Sequence, residues 1–412
     1  MTHACPINCI VPPHMLRKLL TSSDAQIRKS ALSTLLATTG MRSSRTLMTE
    51  FGLMANSVGE KRRTIFDCRN GGLPAQAKLV RGEADKPTAD SSVNEAYEAL
   101  GSTYDFYKSV FSRNSIDGKG MRLDGYVHYL RGYNNAFWNG HQMIFGDGDG
   151  KIFQDLTGSL DVVAHELTHG VTQFTAGLAY HNQSGALNES ISDVFGCCVK
   201  QWKNGQDAAS ADWLIGAGIL APGVNGVALR SMKAPGTAYD DPHLGKDPQP
   251  AHMNQFVAMP DDEDDDWGGV HINSGIPNHA FYLLATEIGG KSWEAPAHIW
   301  FEALKTAGSD TDFAAFATLT YQSAARLYGP GSPQQQATVE CWNKVGIQIP
   351  VASAAVSARF AAPERDIRVA SADADIRKRI DDLSREVTAL IRRLEPRQAT
   401  ISKHSKRTRR AS

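Results

Sequence analysis

An α+β chain of two lobes, β-rich toward the N-terminus and α-helical toward the C-terminus, is predicted by three features of the 412-residue sequence. Between about Arg62 and Gly158, short apolar runs alternate with the turn signals Asp117-Gly118, Asp124-Gly125, Asp147-Gly148 and Asp149-Gly150, which punctuate short strands. After Gly158 the apolar spacing changes to a helical three-to-four, at Leu160 to Thr175, Ala186 to Lys200, Pro277 to Ile288, Trp293 to Thr306 and Asp312 to Leu327. A composition 42% apolar and 21% charged supplies a core for both lobes and excludes wholesale disorder.

Taken in chain order, Met15, Leu16, Leu19 and Leu20, then Ile27, Ala31, Leu32 and Leu35, predict two short amphipathic helices broken near Ser22 and Ser23. Arg42 to about Glu60 reads as an exposed basic linker, so the first 50 residues look like a helical prosegment with a cleavable joint. A single helical pattern, Val93 to Phe111, interrupts the strand-rich region. Past Pro350, an Ala, Ser and Val stretch leads to Ile376, Ile380, Leu383, Val387, Leu390 and Leu394, an a/d seam of nearly three heptads that could pair with another chain, dock onto the body or stay unfolded, since so short a seam is marginal alone. The chain then ends in a basic tail from Arg397 without an acid.

The net charge of -1 gives no global field for nucleic acid, but it averages unlike parts. Residues 1–50 carry six basic and two acidic side chains, residues 365–412 carry fourteen and seven, and the remainder twenty-three and thirty-five. No run of 18 apolar residues spans a membrane. Met1 to Pro13 lacks the positive start and apolar core of a signal peptide, which predicts a cytoplasmic protein or one secreted by a non-classical route. The six cysteines read as free or buried thiols, although Cys5 or Cys9 could bring a thiolate to a metal.

The chemistry concentrates at His165-Glu166-Leu167-Thr168-His169. An i, i+4 histidine pair on a helix points two imidazoles at one ion, with Glu166 beside it. A random chain with 13 His would show this pattern about 0.02 times. A catalytic zinc needs a third protein ligand and one open position. Glu189 and Asp193 lie i, i+4 on a helix whose other positions, Leu187, Ile191, Val194, Phe195 and Val199, are apolar. Two acids on a core-like helix demand partners, which zinc on Glu189 and a ligand histidine's ring N–H on Asp193 would supply.

With these motifs the chain resembles the thermolysin-like zinc metalloproteases, over about Tyr104 to Ile349. The resemblance is carried by Tyr133-Asn134-Asn135-Ala136-Phe137-Trp138, Phe145-Gly146-Asp147-Gly148, the His165 to His169 motif, Gly185 to Asp193, Asp212-Trp213, Leu229-Arg230-Ser231-Met232 and Gly268 to Gly275. Glu189, 24 residues after His165, matches the family's spacing. Val11-Pro12-Pro13 in a brief prosegment is similar to the protealysin subgroup. The resemblance implies a two-lobed zincin: a propeptide at 1–50, a β-rich catalytic lobe at 51–175, an α-helical lobe at 176–349 and an extension at 350–412.

It also implies a zinc-dependent neutral endopeptidase, made as a zymogen, acting on peptide or protein substrates and inhibited by its own propeptide. One zinc would sit on His165, His169 and Glu189, with Glu166 as general base toward the water and then acid toward the leaving amine. Tyr180 and His271 would hydrogen-bond the developing oxyanion, and Asp266 would orient His271. Asn135, Ala136 and Arg230 would hold substrate backbone. Phe153, Leu156, Val162, Ile215, Ile219 and Leu229 would line an apolar pocket that selects cleavage before Leu, Phe, Ile or Val. The family's calcium between the lobes is expected to be absent, because Asp161 and Asp212 remain while the other matching positions hold Lys200, Leu214 and Ala217. The alternative, a catalytically idle peptide-binding or scaffold protein retaining the fold, calls for loss of Glu166, a ligand or His271, and all are present.

Overall fold

The computed structural model describes residues 8–48, 60–72 and 76–350. In chain order the elements are β1 (Asn8–Cys9), α1 (Pro13–Leu19), α2 (Ala25–Met48), β2 (Arg63–Asp67), β3 (Lys78–Arg81), α3 (Ser91–Phe111), β4 (Leu123–Val127), β5 (Ala136–Trp138) and β6 (Met143–Phe145). There follow α4 (Leu160–Gln173), α5 (Asn182–Asn204), the short pairs β7 (Leu214–Ile215) with β8 (Arg230–Ser231) and β9 (Asp240–Asp241) with β10 (Gly245–Lys246), and then α6 (Asp266–Asn273), α7 (Gly275–Ile288), α8 (Ala295–Thr306), α9 (Phe313–Tyr328) and α10 (Pro333–Lys344). The architecture is α+β as expected, with a mixed sheet in the first part of the chain and helices in the second.

Six strands form the main sheet in the order β1-β5-β6-β4-β2-β3. The β2/β4 and β4/β6 pairs are parallel and the others antiparallel. Side-chain alternation divides its faces: Ala136, Trp138, Met143 and Phe145 join the large helical core, while Phe137 and Ile144 pack with Tyr126, Tyr129 and Tyr133 on the other side. The edge strand β1 comes from the N-terminal segment. Behind it, Ile10, Val11, Met15, Leu16, Leu19, Ile27 and Ala31 are buried in the same apolar cluster as the body, which costs that segment its independence but gives it an anchored seat.

The helix break near Ser22 and Ser23 stands where the spacing predicts it, between α1 and α2. The basic linker expected from Arg42 is corrected as far as Met48, where α2 continues because Thr, Ser, Leu and Met without Gly or Pro carry the helix on past Gly40; the rest of it, 49–59, lies outside the described residues. The apolar periodicity also missed α6 and α10; α10 is introduced by Ser332 as N-cap with Pro333 at its first position. No described helix is long and apolar enough to cross a membrane. The chain divides into units at Met1–Pro350 and Val351–Ser412, and the heptad seam and basic tail lie outside the described residues.

Candidate active site

Helices α4 and α5 pack directly against each other and carry most of the site. Gly196 on α5 allows the approach: a Cβ there would stand 2.7 Å from the Asp161 carbonyl oxygen and 3.2 Å from the His165 nitrogen. His165, Glu166 and His169 on α4 then face Asn188, Glu189, Ser192 and Asp193 on α5, all buried.

One nitrogen from each histidine and one Glu189 oxygen lie within 4.8 Å of one another, forming a group that could hold a metal ion. The two Nε2 atoms converge to 3.0 Å because each ring is turned by its other nitrogen. His165 Nδ1 donates to Asp193 Oδ1 at 2.8 Å, and His169 Nδ1 to Asn188 Oδ1 at 2.8 Å. Both Nε2 lone pairs are thereby aimed at a common point, the arrangement in which a neutral imidazole binds zinc. Glu189 Oε2 is buried and accepts no hydrogen bond among the described residues. An orphaned carboxylate oxygen beside two converging lone pairs fits a divalent cation, and two nitrogens with one carboxylate are a catalytic zinc donor set.

Electrostatics in the metal-free chain follow from burial set against neighbours. Burial pushes His169 down to about 3, whereas for His165 it is overridden by Asp193 and Glu189, which hold the ring up at about 9. Glu189 resists burial and stays well below the usual carboxylate range because His271, His169 and His165 surround it. Burial carries Glu166 up to about 8, reinforced by Glu189 against the opposing pull of His165. Its Oε2 accepts from the Trp138 backbone N–H at 3.0 Å and its Oε1 has no hydrogen bond among the described residues, leaving one oxygen for a water or a leaving group.

His271 faces the triad from α6. Asp266, Trp267, Gly268 and Gly269 all have φ between 53° and 84°, so the chain winds left-handed for four residues before the helix proper. That reversal brings Asp266 back, with Oδ2 on the His271 backbone N–H at 2.9 Å and Oδ1 on ring Nδ1 at 2.7 Å. Two non-glycine residues in this region carry about 1–2 kcal/mol of strain each, offset by these paired bonds. Of the acidic run Asp261 to Asp266, then, the last member is buried and bound to the histidine. His271 Nε2 has the Cys9 carbonyl oxygen as acceptor at 2.9 Å, so both ring nitrogens donate; despite burial, Asp266 and Glu189 keep the ring's pKa raised. The Tyr180 hydroxyl stands 3.3 Å from the same nitrogen and donates to Glu189 Oε1.

The N-terminal segment runs along the cleft. β1 pairs antiparallel with β5, Cys9 opposite Phe137. Asn135 brackets Val11, accepting from its N–H at 2.9 Å and donating to its carbonyl at 3.1 Å. The Ala136 carbonyl accepts from Ile10 N–H at 3.2 Å, and Arg230 Nη1 donates to the Ile10 carbonyl at 3.0 Å. Phe153, Leu156, Val162, Ile215, Ile219, Leu229 and Ile10 all belong to one buried apolar cluster. Of the thiols weighed as ligands, Cys5 lies outside the described residues, and the group that could hold a metal draws on His165, His169 and Glu189 without Cys9.

Three contributions escaped the sequence reading. Asn188 orients His169, a role that its place one residue before Glu189 and four before Ser192 could have suggested. Arg230 serves twice, since besides Ile10 it forms a two-pronged pair with Asp193 at 2.8 Å for each contact. Asn278 adds a bond to Asp193 Oδ2 at 2.8 Å. So supported by Arg230, His165 and Asn278, Asp193 is held down at about 2 against its burial.

Residues 59–173 match the family model of the thermolysin metallopeptidase catalytic domain, and residues 176–347 match its α-helical domain. The chain is 48% identical over 347 residues to an extracellular metalloprotease of Pectobacterium carotovorum subsp. carotovorum, covering 84% of this chain and 97% of the relative. It is 45% identical over 347 residues to protease PrtS of Photorhabdus sp., covering 82% and 92%. The solved precursor of protealysin, a metalloproteinase from Serratia proteamaculans, is 47% identical with a TM-score of 0.75, covering 82% of this chain and 99% of that one.

Proposed function

The chain belongs to the thermolysin family of zinc metalloendopeptidases, and from that premise we propose that it is made as a zymogen which, once freed of residues 1–50, hydrolyses peptide bonds before bulky apolar residues. The observation that carries this reading is the seating of the chain's own β1 along β5, with a peptide carbonyl at His271 and the next side chain, Ile10, buried in the apolar cluster. Further domain limits follow the same reading: 51–175 and 176–349 as the catalytic lobes and 350–412 as an extension outside the chemistry.

His165, His169 and Glu189 would hold the zinc. When bound, zinc supplies Lewis-acid activation of water and of the scissile carbonyl. The protein's own groups do the rest. Glu166, through its unengaged Oε1, takes a proton from the attacking water and delivers it to the leaving nitrogen. His271 and Tyr180 donate to the carbonyl oxygen as charge builds there, and Asp266 fixes the ring that does so. Asn135, the Ala136 carbonyl and Arg230 hold the substrate backbone as an added strand, and the cluster of Phe153, Leu156, Val162, Ile215, Ile219 and Leu229 receives the apolar side chain. Asp193 holds His165 and Arg230 in place.

Two further parts belong to the proposal. Lys200 Nζ, 2.9 Å from both Asp161 Oδ2 and Asp212 Oδ1, supports a protein without the inter-lobe calcium, its ammonium standing where the ion's charge would be. Relatives named as extracellular metalloproteases support a place outside the cell.

The test is hydrolysis of peptides by the zinc-loaded, processed enzyme. Cuts before Leu, Ile, Val or Phe should disappear with chelator and fall by about 10²–10⁴ in Glu166→Gln, with zinc still bound to that variant by elemental analysis. A zinc-bound Glu166→Gln protein as active as wild type defeats the assignment.

A further inference from the structure

We propose that the Cys9–Ile10 peptide bond of the chain's own N-terminal segment is a processing site, cut by the same molecule's active site before any cut in the region between about Arg42 and Arg62. The inference rests on the peptidase reading above. A segment that merely filled the cleft would need only volume and apolar contact. This one has every backbone polar group from the Cys9 carbonyl to the Val11 carbonyl engaged: Cys9 O with His271 Nε2 at 2.9 Å, Ile10 N with Ala136 O at 3.2 Å, Ile10 O with Arg230 at 3.0 Å, and both polar groups of Val11 with Asn135. Among these carbonyls, Cys9's is the one directed at the donor that neighbours Tyr180 and Glu189. The side chain on the nitrogen side of that bond, Ile10, is fully buried in the apolar cluster. Holding a carbonyl beside its catalytic groups removes most of the entropic barrier to attack.

The reaction balances without a further reagent. Water adds to the Cys9 carbonyl carbon while Glu166 takes its proton; the C–N bond to Ile10 breaks, and that proton passes to the departing nitrogen. The water's second proton, left on the new carboxyl group, follows to the nitrogen, so that a Cys9 carboxylate and an Ile10 ammonium result. The downstream product is the better anchored. On that side Met15, Leu16, Leu19, Ile27 and Ala31 are buried, and Arg17 reaches Asp264 Oδ1 at 3.0 Å and the Glu263 carbonyl at 3.2 Å. Residues from Ile10 onward therefore stay seated and keep the cleft blocked until a second cut frees them.

Zinc-loaded full-length chain, followed by N-terminal sequencing and intact mass, should first yield a species that begins at Ile10, with a rate independent of protein concentration. That species should be missing from Glu166→Gln and Ile10→Asp and retained in Ile10→Leu. With the metal chelated, the Ile10 amide of the full chain should be protected from hydrogen exchange, a readout of register that needs no activity. An unprotected Ile10 amide, a concentration-dependent rate, or processed enzyme that cuts added peptides while no Ile10 terminus ever forms would each overturn the proposal. Failure to cut added peptides at all would instead overturn the peptidase reading on which it rests.

Discussion

Replacing Lys200 by Met should lower the melting temperature by about 4 °C. Lys200 Nζ contacts Asp161 Oδ2 at 2.9 Å, Asp212 Oδ1 at 2.9 Å and the Leu214 carbonyl at 2.6 Å. The Asp161 side chain is 1% exposed and that of Asp212 45%, so the energy resides in the Asp161 pair. Removing one partner of a buried pair costs about 3–5 kcal/mol, because the other charge is left without compensation. Asp161 keeps bonds from Ser159 Oγ at 2.6 Å, Val162 N at 2.9 Å and Gly216 N at 3.3 Å, which places the loss near the lower figure. At roughly 2 cal/mol/K per residue over the roughly 330 described residues, the unfolding entropy is about 0.7 kcal/mol/K, and about 3 kcal/mol becomes about 4 °C. Lys200→Glu should lose more, and millimolar calcium should restore much of it, since a third carboxylate rebuilds an oxygen cage for a hard cation. Differential scanning calorimetry of the three proteins with and without calcium measures this. A Lys200→Met melting point within 1 °C of wild type, or a wild-type one that rises with calcium, refutes the reasoning.

Three further outcomes are expected. Asp193→Asn, which weakens the support of His165, should reduce zinc affinity about 10–100-fold in a chelator competition titration; an unchanged affinity contradicts that support. His128 donates to Asp147 at 2.8 Å and Asp90 at 2.9 Å, and Asp147 more than offsets burial to raise its pKa to about 9. A raised histidine stabilises fully below its unfolded value of about 6.5 and loses that contribution as pH rises through 9, while Asp90, whose pKa is lowered, loses its share only in acid. Urea unfolding should therefore show wild type losing stability between pH 6.5 and 9 relative to His128→Gln, and parallel curves would contradict this. Gly196→Ala, which forces a Cβ to within 2.7 Å of the Asp161 carbonyl, should destabilise by about 1–3 kcal/mol in the same assay; a change under about 0.5 kcal/mol would show that α4 and α5 separate freely.

His165, His169, Glu189 and Asp193 were legible before any coordinates because i, i+4 spacing on a helix is itself geometry, and Glu166 followed as the neighbour of His165. Asp266 was ambiguous, since its usefulness depends on a left-handed turn that a run of acids does not announce. Asn188 was passed over for a different reason: its place beside Glu189 put it near the site, but an amide on a helix has many partners available, and the packing of α4 on α5 selects His169. The length of α2 was misjudged because Ser and Thr suit a linker and a helix almost equally, so composition alone does not set where the helix stops.

Lobe order, the donor types for a metal and the charge asymmetry between the ends and the middle of the chain follow from the sequence alone, as they depend on local spacing and composition. The register of β1 on β5, the double duty of Arg230 and the bond presented to His271 were decided by the tertiary structure. Each joins residues more than thirty positions apart, and such pairings are selected by the fit of packed surfaces, on which local periodicity has no bearing.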